Sequence, residues 1–201
     1  MAKNMDRKFK IIGITPEVLP ENSDEEREMI ISILSRGEAD IIHVRHPEAS
    51  EDRMRKFLRE FPDVFLNRIT LHDNFRLVSE FNVGGIHLNS RNPVITDDIL
   101  ALIESHNLRL SRSCHSFEEI SDICTCRNSK LYKYVTLSPI FDSISKIGYK
   151  SAFSLSQLKM NIPLYPIDII ALGGIRESHW ALLKSIGFKG AAMLGNFFCK
   201  S

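Results

Sequence analysis

Residues 167–174, "IDIIALGG", form an apolar run that ends in two glycines. The run is short, β-branched and nearly continuous, which is typical of a strand buried on both faces. An amphipathic helical pattern, "ESHWALLKSI" (177–186), follows it after two residues. A strand followed by such a helix predicts one β–α unit of a parallel sheet.

The same pattern recurs along the whole chain. Further strands are predicted at 10–15, 40–45, 68–72, 84–88, 108–113, 133–138 and 190–195. Ser23 and Glu26 have the spacing of a capping box and predict the start of the first helix. Eight units predict a (β/α)₈ TIM barrel, with a short or missing eighth helix after the last strand. A doubly wound open sheet is the alternative, but no strand is followed by a GxGxxG or GxxxxGK loop.

Composition limits the class of protein. The 201 residues are 43% hydrophobic and 25% charged, which predicts a single globular domain over 1–201. With 26 basic and 25 acidic residues, the net charge of +1 gives no general attraction for nucleic acid or a membrane surface. The sequence has no signal-peptide pattern and no apolar run of roughly 18 residues, so we expect a cytoplasmic protein with reduced cysteines.

Polar side chains collect where the predicted strands end, which is where (β/α)₈ barrels carry their active sites. The glycine pair after the seventh strand and Gly195 after the eighth permit two interpretations, a phosphate cradle or simple tight turns. The strand-end residues are His43, Arg45, His72, Asp73, His87, Ser113 and His115.

Histidines are frequent at these strand ends. His43, His46, His72 and His87 suggest a metal cluster, but their spacing matches no fixed ligand motif. The sequence therefore predicts histidines that contact substrate or solvent, and no zinc site.

Five motifs together resemble one family. They are "DIIHVR", "LHDNFRLVSEFNVGGIHL", "SRSCHSFEEI", "LSPIFDSISK" and "IIALGGI…GFKGAAMLGNFF", in this order and over nearly the whole chain. They resemble the thiamine phosphate synthase and TenI family. The resemblance implies a barrel that binds a thiazole phosphate, with the phosphate held by Gly173, Gly174, Leu194 and Gly195.

The resemblance to the synthase branch is incomplete at the pyrimidine and metal sites. Of the family's glutamine, arginine and lysine on strand two, only Arg45 matches, because His43 and Pro47 stand at the other two positions. The family's asparagine–aspartate pair becomes His72 and Asp73. The second metal-ligand aspartate falls at Asn92, which implies a weak Mg²⁺ site if the protein acts as a synthase.

The phosphate side of the resemblance is closer. The synthase's two threonines and lysine after strand six correspond to Ser143, Ser145 and Lys146, which keep the hydroxyls and the positive charge.

Two motifs, "IIHVR" and "SRSCHS", resemble the TenI branch, the thiazole tautomerases. A tautomerase moves one proton on a thiazole carboxylate phosphate and requires no cofactor. His115 is then the candidate general acid/base, with Ser113 and Cys114 lining the ring. A tautomerase is thus the first functional hypothesis. The alternative functions are a thiamine phosphate synthase and a non-catalytic phosphate binder. The alternative role for His115 is an architectural hydrogen bond.

The short eighth helix also bears on assembly. Apolar surface that this helix leaves exposed is a candidate interface, so a homodimer is expected to cover it. Phe197 and Phe198 are expected to cover the barrel floor or a partner subunit.

Overall fold

The computed structural model describes residues 9–142 and 151–198. Within them, eight parallel strands pair in sequence order, and β1 also pairs with β8, so the sheet closes into a barrel. The strands are β1 Lys10–Ile14, β2 Ile41–Val44, β3 Ile69–Leu71, β4 Gly85–Leu88, β5 Arg109–Cys114, β6 Tyr132–Leu137, β7 Asp168–Leu172 and β8 Gly190–Met193. The (β/α)₈ prediction is confirmed, and the open sheet is wrong.

Helices cover the outside of the barrel. They are α1 Asp24–Ser35, α2 Glu51–Arg59, α3 Asp63–Leu66, α4 Asp97–His106, α5 Phe117–Thr125, α6 Leu155–Asn161, α7 Trp180–Ile186 and α8 Gly195–Phe198. A 3₁₀ helix, Phe75–Ser79, is the crossover between β3 and β4. The short eighth helix agrees with the prediction, and Phe197 and Phe198 pack against the core.

Alternation along the strands divides the core in two. Outward residues pack under the helices in the larger cluster, for example Ile42, Leu71 and Leu110. Inward residues fill the barrel, and those of β1 and β7 include Ile12 and Ile170. Because the side-chain period of a strand is two, every second residue of each strand faces the inside.

The capping box predicted at Ser23 does not form. Ser23 is in a helical conformation and its side chain makes no capping hydrogen bond. Glu26 is buried, and its carboxylate lies 2.8 Å from Nε2 of His46. The buried carboxylate thus has a charge-assisted partner in His46, and that contact replaces the reciprocal cap. True side-chain caps do form at Ser50, Thr96, Ser116 and Ser154.

In the part of the chain that the structure describes, no helix has the length and apolar character needed to span a membrane.

Candidate functional site

Three histidines meet inside the barrel near the carboxyl ends of its strands. His43 lies on β2, His72 directly after β3 and His87 on β4, and all three are buried. Nδ1 of His43 is 2.9 Å from Nε2 of His72, and the rings of His72 and His87 stack with centroids 4.3 Å apart. We call these residues the histidine trio. Of the two expectations for them, contact with solvent is wrong because they are buried, and contact with substrate stays a prediction.

Hydroxyl groups surround the histidine trio. Nε2 of His43 is 2.6 Å from the hydroxyl of Tyr134, on β6. The two ring nitrogens of His87 each lie 2.8 Å from a serine oxygen, Ser111 on one side and Ser113 on the other. A hydroxyl donates or accepts, so these partners satisfy either tautomer of the neutral rings.

The trio is uncharged near neutral pH. Burial, reinforced by neighbouring His87, lowers the pKa values of His43 and His72 well below their usual range. Burial alone lowers the pKa of His87 to about 3. Removal from water disfavours the charged imidazolium, and three such groups side by side would repel each other if protonated.

The two predicted catalytic residues follow each other on the inward side of β5 and its end. Ser113 is half-buried and its hydroxyl is hydrogen-bonded to His87, whereas His115 is exposed. Nδ1 of His115 is 3.2 Å from the carbonyl oxygen of Ser138, and its backbone N–H donates to Glu119 at 2.7 Å. His115 is therefore available at the mouth of the barrel, tethered to the end of β6.

Cys114 does not line this site. It lies between Ser113 and His115, so strand alternation turns it outward into the core under the helices, where it is fully buried. Burial raises the pKa of its thiol to about 12. The expectation that Cys114 lines the substrate ring is wrong.

The predicted metal residues form a contact group after β3 and β4. The guanidinium of Arg91 donates to both carboxylate oxygens of Asp73, at 3.1 and 2.7 Å. The side-chain amide of Asn92 donates to the same carboxylate at 3.1 Å and to the His72 carbonyl at 3.2 Å. The fold thus brings Asp73 and Asn92 together, as the resemblance implies, and adds a cation that sequence analysis missed.

Arg45 lies at the end of β2. Its guanidinium is 2.7 Å from the carboxylate of Glu17, and its backbone N–H donates to Thr15 at 2.9 Å. His46, the next residue, is buried against Glu26 and is not a member of the histidine trio.

The glycine pair after β7 has backbone torsions that favour glycine, with φ of +92° at Gly173 and +63° at Gly174. A Cβ on Gly174 would lie 2.3 Å from the carbonyl oxygen of Asp142, and one on Gly173 would lie 2.9 Å from Cα of Pro139. The glycines therefore allow the loop after β6 to approach closely. The phosphate cradle stays a prediction.

A cleft of about 420 Å³ opens beside this loop. Gly174 and Arg176 line it, together with the side chains of Ser151, Ser178 and His179. Leu194 packs on the inner aliphatic cluster, and Gly195 begins α8. Ser143, Ser145 and Lys146 lie outside the described residues.

Sequence analysis missed Arg91 and Tyr134. Arg91 directly precedes Asn92, and a cation next to a candidate metal-ligand position was the available signal. Tyr134 sits two residues inside β6, where "YKYVTL" shows no sign that one tyrosine faces a histidine on β2.

Comparison with known proteins gives a consistent result. A family model described as thiamine monophosphate synthase (TMP-TENI) matches residues 11–197. A thiamine-phosphate synthase of Latilactobacillus sakei subsp. sakei (strain 23K) is 25% identical over 124 residues, covering 62% of this chain and 53% of that protein. One of Photorhabdus laumondii is 27% identical over 149 residues, covering 72% and 66%. The chain thus matches about half to two thirds of the length of these relatives.

Solved structures agree with the family match. The crystal structure of thiamine phosphate pyrophosphorylase from Bacteroides thetaiotaomicron is 33% identical, with a TM-score of 0.74, and the match covers 94% of this chain and 84% of that one. The Pyrococcus furiosus protein of the same name is 19% identical with a TM-score of 0.70, which supports the fold alone. Both solved structures, like the two relatives above, carry the name of a thiamine phosphate synthase or pyrophosphorylase.

Proposed function

The chain belongs to the thiamine monophosphate synthase family, and we propose that it is a thiamine phosphate synthase, coupling a pyrimidine diphosphate to a thiazole phosphate. The observation that carries the proposal is the contact group of Asp73, Arg91 and Asn92 at the mouth of the barrel. Displacement of a diphosphate needs cations and a metal-binding carboxylate there. A proton shift on a thiazole has no use for them.

The donor set fits Mg²⁺ when substrate is present. Mg²⁺ usually binds through one or two carboxylates together with substrate phosphates. Asp73 would supply the carboxylate, whose oxygens accept from Arg91 and Asn92 in the structure and would have to release those bonds. Asn92 would supply an amide oxygen after its side chain turns its N–H₂ away from Asp73, and the diphosphate would supply further oxygens. When bound, Mg²⁺ neutralises negative charge on the departing diphosphate.

Two arginines support the same assignment. Arg91 pairs with Asp73, and Arg45 pairs with the half-exposed Glu17. An arriving diphosphate carries more charge than either carboxylate and offers oxygens in the arrangement that a guanidinium binds bidentately. We propose that Arg91 binds the diphosphate in place of the family's lysine, which is Pro47 in this chain, and that Arg45 binds the same diphosphate. Lys146 is a third candidate from its match to the family motif.

The thiazole phosphate is assigned to the other side of the mouth. Gly173, Gly174, Leu194 and Gly195 come from the ends of β7 and β8, where barrels commonly hold phosphate. Ser143 and Ser145 are proposed as hydroxyl donors from the loop after β6. His43 and His72 are proposed to lie beneath the diphosphate side of the mouth.

The tautomerase remains the second candidate, because His115 is exposed at the mouth with Ser113 facing the same interior. In the synthase, His115 and Ser113 contact the thiazole ring, and no proton transfer is required of them. A homodimer is a further expectation that rests on the short eighth helix.

Product analysis separates the candidates. The purified protein is incubated with Mg²⁺, thiazole phosphate and pyrimidine diphosphate, and separately with the non-aromatic thiazole carboxylate phosphate alone. We expect thiamine phosphate and free diphosphate from the first mixture, and loss of both with EDTA. Isomerisation in the second mixture without coupling in the first would assign the tautomerase. Ligand binding with no product in either would assign the non-catalytic binder.

A further inference from the structure

The proposed reaction gives the ring nitrogens of the histidine trio no chemical role. His43, His72 and His87 each offer one ring nitrogen within 4.8 Å of a ring nitrogen of both others. All three are buried inside the barrel, where aliphatic side chains are the usual filling. Hydroxyl groups and a neighbouring ring satisfy these nitrogens when no ion is bound, and the same lone pairs are able to bind a metal ion instead.

We propose that the histidine trio binds one transition-metal ion of the zinc class inside the barrel. Imidazole nitrogen suits Zn²⁺, Co²⁺, Ni²⁺ and Cu²⁺, whereas Mg²⁺ prefers oxygen. The site is therefore distinct in chemistry from the Mg²⁺ position proposed at Asp73. Three histidines leave a fourth position for water, as in open tetrahedral zinc sites.

The distances are close to those of such a site. Zinc–nitrogen bonds of about 2.05 Å at tetrahedral angles place two ligand nitrogens about 3.3 Å apart. Nδ1 of His43 and Nε2 of His72 are already 2.9 Å apart. One ring nitrogen of His87 lies within 4.8 Å of a ring nitrogen of each of the other two, so the rings need only a small rearrangement to enclose an ion.

The surroundings of His43 and His87 supply the outer hydrogen bonds that metal-bound histidines normally have. If Nδ1 of His43 binds the ion, its Nε2–H donates to the hydroxyl of Tyr134, which is 2.6 Å away. His87 holds a serine at each ring nitrogen, so it keeps one serine when the other nitrogen turns to the ion.

Protonation and access are both favourable. The lowered pKa values of the trio keep its imidazoles in the neutral form that binds metals, so binding displaces few protons near pH 7. Ser113, which contacts His87, is half-buried, so the trio borders partly exposed residues on this side.

The ion is expected to stabilise the barrel. The trio joins β2, the end of β3 and β4, so a bound ion links three neighbouring strands. A ligand that binds only the folded state raises the melting temperature by mass action, by about 5–10 °C for a chain of this size at roughly 100 times its dissociation constant.

Cobalt titration tests this proposal. The full chain is stripped with a chelator, dialysed and titrated with Co²⁺ while visible absorption is recorded, and Zn²⁺ is then added in competition. We expect one Co²⁺ per chain with the absorption of a tetrahedral nitrogen site, its replacement by Zn²⁺, and the rise in melting temperature with Zn²⁺. His87→Gln and His43→Gln should each abolish the band, while His106→Gln, an exposed histidine on α4, should leave it unchanged.

The wild-type titration keeps the test decisive even if a trio variant fails to fold. A wild-type protein that stays colourless, or whose melting temperature does not respond to Zn²⁺, overturns the proposal. A band that survives in folded His87→Gln, or that disappears in His106→Gln, overturns it as well. Asp73→Asn should retain the band, which separates this site from the Mg²⁺ position.

Discussion

The inside of the barrel differs between its two halves. On the side of β2 to β5, its upper part is filled by the histidine trio and by Ser111 and Ser113. On the side of β7, β8 and β1, it is filled by Ile170, Ala192, Ile12 and Ile14, which pack with Ile41 at the start of β2 and with Tyr134 of β6. In the aliphatic half, the side chains need only fill the available volume. The polar half needs a partner for each nitrogen and hydroxyl, so its residues depend on one another.

The difference matches the division of labour that we propose for the mouth. The polar half ends at Asp73, Arg91 and Asn92, where diphosphate and Mg²⁺ are assigned. The aliphatic half ends at the glycine turns of β7 and β8, where the thiazole phosphate is assigned. In this proposal the diphosphate is displaced above the polar half of the barrel, and the phosphate of the thiazole is bound above the aliphatic half.

The largest expected effect is at Asp73. Asp73→Asn removes the carboxylate assigned to Mg²⁺ and the negative charge that pairs with Arg91, so the rate of thiamine phosphate formation should fall by about 10²- to 10³-fold. Asp97→Asn, in the exposed first turn of α4, is the matched control and should keep the wild-type rate. Steady-state product analysis provides the measurement. Equal rates in the two variants would remove Asp73 from the reaction.

A second experiment compares the two fillings directly. Tyr134→Phe leaves Nε2 of buried His43 without its hydroxyl, which should lower the free energy of unfolding by about 1–3 kcal/mol. Ile170→Val deletes one methylene from the aliphatic half and should cost about 0.5–1.5 kcal/mol. Urea denaturation of both variants, without added metal, gives the two values. The contrast between the halves is wrong if the valine variant is clearly the less stable one.

Stability should also depend on pH through the polar half. The pKa of His87 is about 3 in the folded protein and returns to about 6.5 on unfolding, so the unfolded chain binds more protons between these values. This stability is complete above about pH 6.5 and is lost as the pH falls toward 3, by up to about 1.4 kcal/mol per pH unit for this histidine.

His43 and His72, which face His87, make the same kind of contribution to the pH dependence of stability, because their pKa values are also lowered. Urea denaturation in chelator at about pH 7 and about pH 5.5 measures the loss. A free energy of unfolding that stays constant over this interval would mean that the trio is not held neutral.

The sequence predicted the barrel because apolar runs and helical patterns are local signals that repeat eight times. It also predicted that His43, His72, Asp73 and Ser113 stand at strand ends. It suggested a cluster of His43, His46, His72 and His87 but set it aside, because side chains from separate strands have no fixed spacing in the sequence. That three of them meet and that His46 does not is visible only in the folded sheet. The capping box predicted for Ser23 and Glu26 was wrong because Glu26 contacts His46, which is 20 residues away in the sequence and therefore gives no local signal.

The smallest effect concerns Cys114, on the outer side of the strand that carries Ser113. Burial raises the pKa of its thiol to about 12, so thiolate is scarce at pH 8 and reagents cannot reach it. Cys126 is exposed. Brief alkylation of the native protein followed by peptide mass spectrometry should label Cys126 and spare Cys114. Equal labelling would place Cys114 on an accessible surface and contradict the alternation along β5.

Calorimetric titration of each substrate alone tests the division of the mouth most directly, since no turnover occurs with one substrate. Wild-type protein and Asp73→Asn are each titrated with pyrimidine diphosphate and with thiazole phosphate, with and without Mg²⁺. We predict that pyrimidine diphosphate binds the wild type only with Mg²⁺ and binds Asp73→Asn at least about tenfold more weakly, while thiazole phosphate binds both proteins equally without Mg²⁺. Pyrimidine diphosphate binding that is independent of Mg²⁺ and of Asp73 would contradict the account.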